Sequence, residues 1–163
     1  MSENVENQSL LEETRDDLDG RFLLFHINDR LYSLMLRYVI EIIPMQNITY
    51  LPGIAYYIKG VINIRGKVVP VISTRAKLNF PEQPYDDKTC IIVIEIQEMT
   101  VGLIVDSISD VIAADSSQMA APPATGDTAT RYLSSVTEIE NQVILNLDCE
   151  KFLYEDLSEF AGI

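Results

Sequence analysis

The chain carries an internal repeat, and that repeat limits what it can fold into. Leu23-Leu24-Phe25-His26-Ile27-Asn28-Asp29 lines up with Ile92-Val93-Ile94-Glu95-Ile96-Gln97-Glu98 at an offset of 69 residues. Without a gap, the same offset carries Val39-Ile40-Glu41-Ile42 onto Ile108-Ser109-Asp110-Val111. Farther on the offset is 75: Tyr57–Gly66 meets Tyr132–Asn141, and Val68–Ile72 meets Val143–Leu147. An ordered, nearly gapless register of this kind points to duplication rather than chance likeness between β-rich stretches.

Each half reads as strand, turn, strand, connection and hairpin. Residues 22–27 and 91–96 are apolar runs that end in the polar pairs Asn28-Asp29 and Gln97-Glu98. The run Val61–Val71 alternates on either side of Arg65-Gly66. Gly66 and its counterpart Asn141 are residue types that tolerate positive φ, as a tight hairpin requires. Arg-Gly is not the commonest two-residue loop, so a longer loop is an open alternative. Pro70 lacks an amide donor and is expected at an edge or a bulge. Short helical pieces are expected over about Pro52–Tyr57 and Cys149–Glu159, the latter with Phe152, Leu153 and Leu157 at helical spacing.

With about 65 residues per half, several short strands suggest two small β-barrels. Units this small are marginal alone, so the halves are expected to pack across a pseudo-twofold axis. Pro81-Glu82-Gln83-Pro84 marks the boundary between subdomain 1 (about 21–84) and subdomain 2 (about 85–155), with a short C-terminal helix after it. Ala121–Gly126 reads as an exposed loop. Residues 1–20 hold seven acids and one Arg, and read as a solvated acidic leader.

Several function classes are disfavoured. The 163 residues carry a net charge of −13, which opposes binding to nucleic acid or anionic membrane. At 47% hydrophobic the chain has material for a core. No apolar run approaches the roughly 20 residues needed to span a bilayer, and the acidic start is unlike a signal peptide. A cytoplasmic protein without membrane insertion is expected. Cys90 and Cys149 are expected as reduced, buried thiols, and one His with two distant Cys makes no zinc set and implies no metal or cofactor. Aligning Gly20 with position six of a calcium loop puts Arg15 and His26 where acids are needed, so that reading fails. His26 lies in an apolar strand and is expected to be structural. Asp106 and Asp110 are expected as solvated or turn-forming carboxylates. No phosphate loop or nucleophile elbow occurs. The hairpin tips differ in charge: Arg65 corresponds to Glu140, and Gly60 to Ser135.

The segment Tyr57-Ile58-Lys59-Gly60-Val61-Ile62-Asn63-Ile64-Arg65-Gly66-Lys67-Val68-Val69-Pro70-Val71 closely resembles the signature of bacterial chemotaxis coupling proteins of the CheW type. Val101-Gly102-Leu103-Ile104-Val105-Asp106-Ser107-Ile108-Ser109-Asp110-Val111 is similar to the same family. The likeness runs from about Arg21 to Tyr154. It implies a mainly β fold of two pseudo-symmetric, five-stranded β-barrel subdomains with short helices around a shared core. It also implies a non-catalytic adaptor that joins chemoreceptor cytoplasmic tips to the regulatory domain of a CheA-type histidine kinase, at membrane-associated arrays. In that mode of recognition a receptor helical hairpin lies in the groove between subdomains.

Carried over by position, the resemblance implies partner contact or groove shape for Val39, Glu41, Gly60, Arg65, Gly102 and Val111. Val39 and Val111 are expected to offer apolar contact, or else to be core. Gly60 and Gly102 would admit a helix or turn the backbone. Glu41 is expected to meet a basic residue, and the Arg65 fork to bind carboxylates or carbonyls. The chain departs from the family after Val-Pro-Val-x, where Ser73-Thr74 stand in place of Asp and a large apolar residue. Two other readings stay open. One is a paralogue that binds receptors or caps arrays without kinase coupling. The other is a small β-barrel hydrolase or ligand binder using carboxylates such as Asp106 and Asp110.

Overall fold

In a computed structural model, residues 20–123 and 128–161 are described, together with Leu18. The acidic leader therefore lies almost wholly outside the described residues, as does the end of the expected 121–126 loop. Among the described residues, eleven strands form two sheets. One takes β1 (Arg21–Ile27), β2 (Arg30–Met35), β8 (Ser107–Ala113), β9 (Met119–Ala120), β10 (Leu133–Ile139) and β11 (Gln142–Leu147). Its order is β8-β1-β2-β11-β10-β9. The second takes β3 (Val39–Pro44), β4 (Ile58–Ile64), β5 (Lys67–Ser73), β6 (Cys90–Ile96) and β7 (Met99–Val105), in the order β3-β6-β7-β5-β4. Short helices follow β5 (α1, Thr74–Lys77), precede β10 (α2, Thr128–Arg131) and end the chain (α3, Cys149–Leu153; α4, Leu157–Phe160).

The mainly β class and the pairing of two related sheets agree with expectation, but the boundaries and the closure differ. All strands of the second sheet lie within residues 39–105, while those of the first come from 21–35 and 107–147. The sheets therefore do not divide at 84/85; one unit is inserted in the other. The edges of each sheet are not hydrogen-bonded to each other, so neither is a closed barrel.

The duplication is visible pair by pair. Val39↔Ile94, Glu41↔Val93 and Ile42↔Ile92 in the second sheet become Ile108↔Phe25, Asp110↔Leu24 and Val111↔Leu23 in the first, down to the same bulge. Val71↔Gly102 in the parallel β5–β7 pair becomes Asn146↔Ser33 in β11–β2. Each sheet thus takes strands from both repeats.

Four hairpins turn on two residues with positive φ: Asn28-Asp29, Arg65-Gly66, Gln97-Glu98 and Glu140-Asn141. Their twist matches that of the strands. The Arg65-Gly66 loop is therefore the short one, and Asn63 Oδ1 braces it by accepting from Gly66 N at 2.9 Å. Pro70 is a correction. It lies in β5, between β7 and β4, paired with Val61. Counting from the two-residue turn makes this a non-hydrogen-bonded pair, and the recorded parallel pairing with β7 begins only at Val71, so no ladder donor is lost.

Strands β1, β2, β6 and β7 bury both faces along most of their length, which explains why their sequences are largely apolar rather than alternating. Ile92, Ile94 and Ile96 face a core shared with Leu23, Phe25 and Ile27 of the other sheet, while Ile91 and Val93 fill the second sheet's own interior. The expected helix at Pro52–Tyr57 is a series of turns, because Gly53 takes φ +78° and interrupts any helical run. The C-terminal helix is two short pieces. Asp148 caps the first by accepting from Lys151 N at 3.1 Å, and Asp156 then turns inward.

The two halves meet around Lys77. Its ammonium is 4.8 Å from the Tyr57 ring centre, 5.4 Å from that of the equivalent Tyr132 and 4.9 Å from that of its own equivalent, Phe152. It donates to Phe152 O and to Asp156, which also accepts from the Tyr57 hydroxyl. Burial pulls the Lys77 pKa down, while the Asp156 carboxylate holds it up. Asp156→Asn removes the carboxylate bonded to this ammonium and is expected to cost about 3–5 kcal/mol in urea titration. The apolar pair Lys77→Met with Asp156→Leu should recover most of that loss. Cys149 is buried, and burial pushes its thiol up to about 12, with Asp148 and Glu150 adding to the effect. The unfolded thiol ionises first. The stabilisation from keeping Cys149 protonated is therefore complete below the ordinary thiol range and is lost as pH rises through about 12. A disulfide reagent at pH 8 should label Cys149 only as the protein unfolds.

Candidate functional site

The expected site residues separate by environment. Val39 packs against the shared core. Gly102 faces the interior of the second sheet, where a Cβ would stand 2.9 Å from Ile91 Cγ2 and 3.4 Å from Val71 Cγ2. Gly60 takes φ +141°, and a Cβ there would stand 2.0 Å from Thr49 O. The close approach that Gly60 permits is by this chain's own backbone, since Thr49 and Val61 exchange hydrogen bonds of 2.8 and 2.9 Å.

Glu41 and Arg65 are brought together. Glu41 is on β3 and Arg65 on the β4–β5 turn, at opposite edges of the second sheet, and the guanidinium fork engages both carboxylate oxygens, the longer contact being 3.4 Å. The pair thus spans the seam that backbone pairing leaves open. Glu41 raises the Arg65 pKa further, first by hydrogen bonding and then by charge. The Arg65 side chain remains 72% exposed. Ile40, Glu41, Ile64, Arg65, Lys67 and Glu95 line a shallow cleft of about 290 Å³ at this end. Val111 is 43% exposed on β8, in the other sheet, and corresponds to exposed Ile42 on β3.

Sequence reasoning missed Arg75. It is 6% exposed and binds Asp106 through Nε (3.2 Å) and Nη2 (2.5 Å), Asn28 Oδ1 (3.2 Å) and Pro81 O (2.9 Å). In the sequence it looks like any surface cation; the one hint is Asp106 beside a strand end. Asp106 also accepts from Asn28 N at 2.8 Å. Asp106 is therefore an ion-paired joint between loops rather than a solvated acid. Asp110 is exposed and accepts from Val111 N at 2.7 Å. The two carboxylates hold different partners and do not converge. His26 Nδ1 lies 3.2 Å from Ser107 Oγ, its cross-strand neighbour. Cys90 is half-buried and, like Cys149, a free thiol. Among the described residues no group of three His, Cys, Asp or Glu side chains is placed to hold a metal, and no helix is long and apolar enough to cross a membrane.

The Ser73-Thr74 departure has a local explanation. Ser73 Oγ caps α1 by accepting from Ala76 N at 3.1 Å, as equivalent Asp148 caps α3. Serine and aspartate serve that position about equally. Thr74 is fully buried in the place of the apolar residue, and its hydroxyl has no partner among the described residues.

Gly60→Ala combines positive φ with a backbone clash and is expected to cost at least about 3 kcal/mol of stability. Gly66→Ala, strained but in open space, should cost about 1 kcal/mol. Denaturant titration of the two variants separates them.

A family model described as the CheW-like domain matches residues 21–157. The chain is 34% identical over 142 residues to the chemotaxis protein CheW of Bacillus subtilis, covering 86% of this chain and 91% of that one. It is 32% identical over 133 residues to that of Klebsiella aerogenes, covering 81% and 80%. The crystal structure of the scaffolding protein TtCheW from Thermoanaerobacter tengcongensis superposes with a TM-score of 0.74 at 27% identity, covering 79% of this chain and 88% of that one. The span matched by the family model takes in both nested sheets, the Gly60–Arg65 hairpin and the α3 helix, and the chain belongs to the CheW-like domain family.

Proposed function

We propose that this protein is a non-catalytic scaffold of chemotaxis signalling that couples chemoreceptor cytoplasmic tips to the regulatory domain of a CheA-type histidine kinase. Its place of action is the cytoplasmic face of receptor arrays. The observation that carries the reading is the exposed Glu41–Arg65 pair. The guanidinium is held at a fixed place by an intramolecular carboxylate, yet most of its surface remains open to a partner. Two apolar positions, Val111 on one sheet and Ile40 on the other, offer uncovered hydrophobic contact.

In this reading Glu41, Arg65 and Val111 touch partners. Val39, Gly60 and Gly102 shape the same surface from within, by packing and backbone approach. The capping by Ser73 supports ordinary kinase coupling, since the helix that follows is intact despite the missing acid.

Co-sedimentation with receptor arrays and the kinase tests the proposal; absence of binding to both at tens of micromolar overturns it. Reconstituted kinase activity with and without the chain distinguishes coupling from capping. Arg65→Ala is expected to weaken co-sedimentation at least about tenfold while moving the thermal midpoint by less than about 3 °C, because exposed ion pairs contribute little to stability. Val111→Asp should likewise reduce binding with little loss of fold.

A further inference from the structure

The two sheet interiors match position by position, with four exceptions. Val69, Ile91, Val93 and Ile104 in the second sheet correspond to Ile144, Phe22, Leu24 and Met35 in the first, apolar throughout. At four further positions Gly60, Ile62, Val71 and Gly102 correspond to Ser135, Thr137, Asn146 and Ser33. The first sheet thus holds a polar knot where the second has aliphatic carbon and two glycines.

The knot is fully bonded at its centre. Asn146 Oδ1 accepts from Ser33 Oγ at 2.5 Å, and Asn146 Nδ2 donates to Ser135 Oγ at 2.8 Å and Thr137 Oγ1 at 2.7 Å. Ser33, Thr137 and Asn146 are buried. Three of the four residues sit on the β10–β11 hairpin, and Ser33 alone comes from β2. The knot therefore reports whether β2 and β11 are neighbours.

That neighbour relation is ambiguous to the backbone. β2 pairs in parallel with β11, and β7 pairs in parallel with β5, in equivalent registers. A chain in which each repeat closed on itself would pair β2 with β5 and β7 with β11, with the same hydrogen-bond ladders. Side chains must decide. In that alternative Asn146 would stand opposite Gly102 amid Ile91, Val93 and Ile104, its Oδ1 without Ser33. Ser33 would meet Val71 and lose its acceptor. Buried polar groups left unpaired are costly, whereas the observed pairing satisfies them.

We propose that Ser33, Ser135, Thr137 and Asn146 form a pairing selector that commits β2 to β11 and thereby fixes the nested topology. The knot acts on the choice between two arrangements rather than on the strength of either, as polar residues in an otherwise apolar seam do elsewhere.

The test is the fourfold variant Ser33→Gly, Ser135→Gly, Thr137→Ile and Asn146→Val, which gives these four positions the residues that their equivalents carry in the second sheet. Full-length wild type and variant are unfolded in urea, refolded by dilution, and compared by size exclusion and amide NMR. The expected result is one set of cross-peaks for wild type but two or more for a variant of unchanged far-UV signal, with the fraction in the native set reduced at least about threefold. A single native set, with contacts between residues 33 and 146 retained, overturns the proposal. So does a variant that fails to fold, since the knot would then supply stability and not choice.

Discussion

Everything in this molecule follows from the parallel pairing of β2 with β11 and of β5 with β7. A parallel neighbour cannot be reached by a hairpin, so each such pair joins segments far apart in sequence, and here each joins one repeat to the other. Once these pairs form, β1 and β6 lie next to them, back to back across a common core. Ile92, Ile94 and Ile96 then pack toward Leu23, Phe25 and Ile27. Neither sheet buries this face without the other, and the shared core makes the two units one cooperative body.

Much of this was legible in the sequence. The repeat, the four turn dipeptides and the apolar strands were readable because each rests on local chemistry: φ preference, side-chain period and residue type. What was not readable is which repeat supplies a strand's neighbour. Equivalent strands carry equivalent ladders, so the expected division at 84/85 was as consistent with the pattern as the nested one. Pro70 was misplaced for a related reason, since whether its missing amide matters depends on the pair to which it belongs. The break in the C-terminal helix depends on Asp156 reaching Lys77, 79 residues away, which no window of helical spacing contains.

The candidate surface shows the same divide. Arg65 and Glu41 were legible as charged positions but not as partners of each other, because their contact bridges two sheet edges. Gly60 and Gly102 were legible as places where a side chain is unwelcome; the structure supplies the reason, Thr49 O in one case and Ile91 in the other. Arg75 and Lys77 were invisible as interior groups, since composition assigns cations to the surface and only the fold brings Asp106 and Asp156 to them.

The nesting of residues 39–105 inside the strands at 21–35 and 107–147 has a consequence for how the chain is made. The inner sheet has all its strands once Val105 has been synthesised, so its backbone pairs can form while translation continues, although its shared face is covered only when the outer sheet joins it. The outer sheet cannot. Its first hairpin, β1–β2, emerges early and must wait for β11, whose last residue is Leu147, before its inner edge is covered. Apolar strands left in waiting are the segments for which a nascent chain most needs a chaperone, and in this protein they belong to the N-terminus although the missing partner lies near the C-terminus.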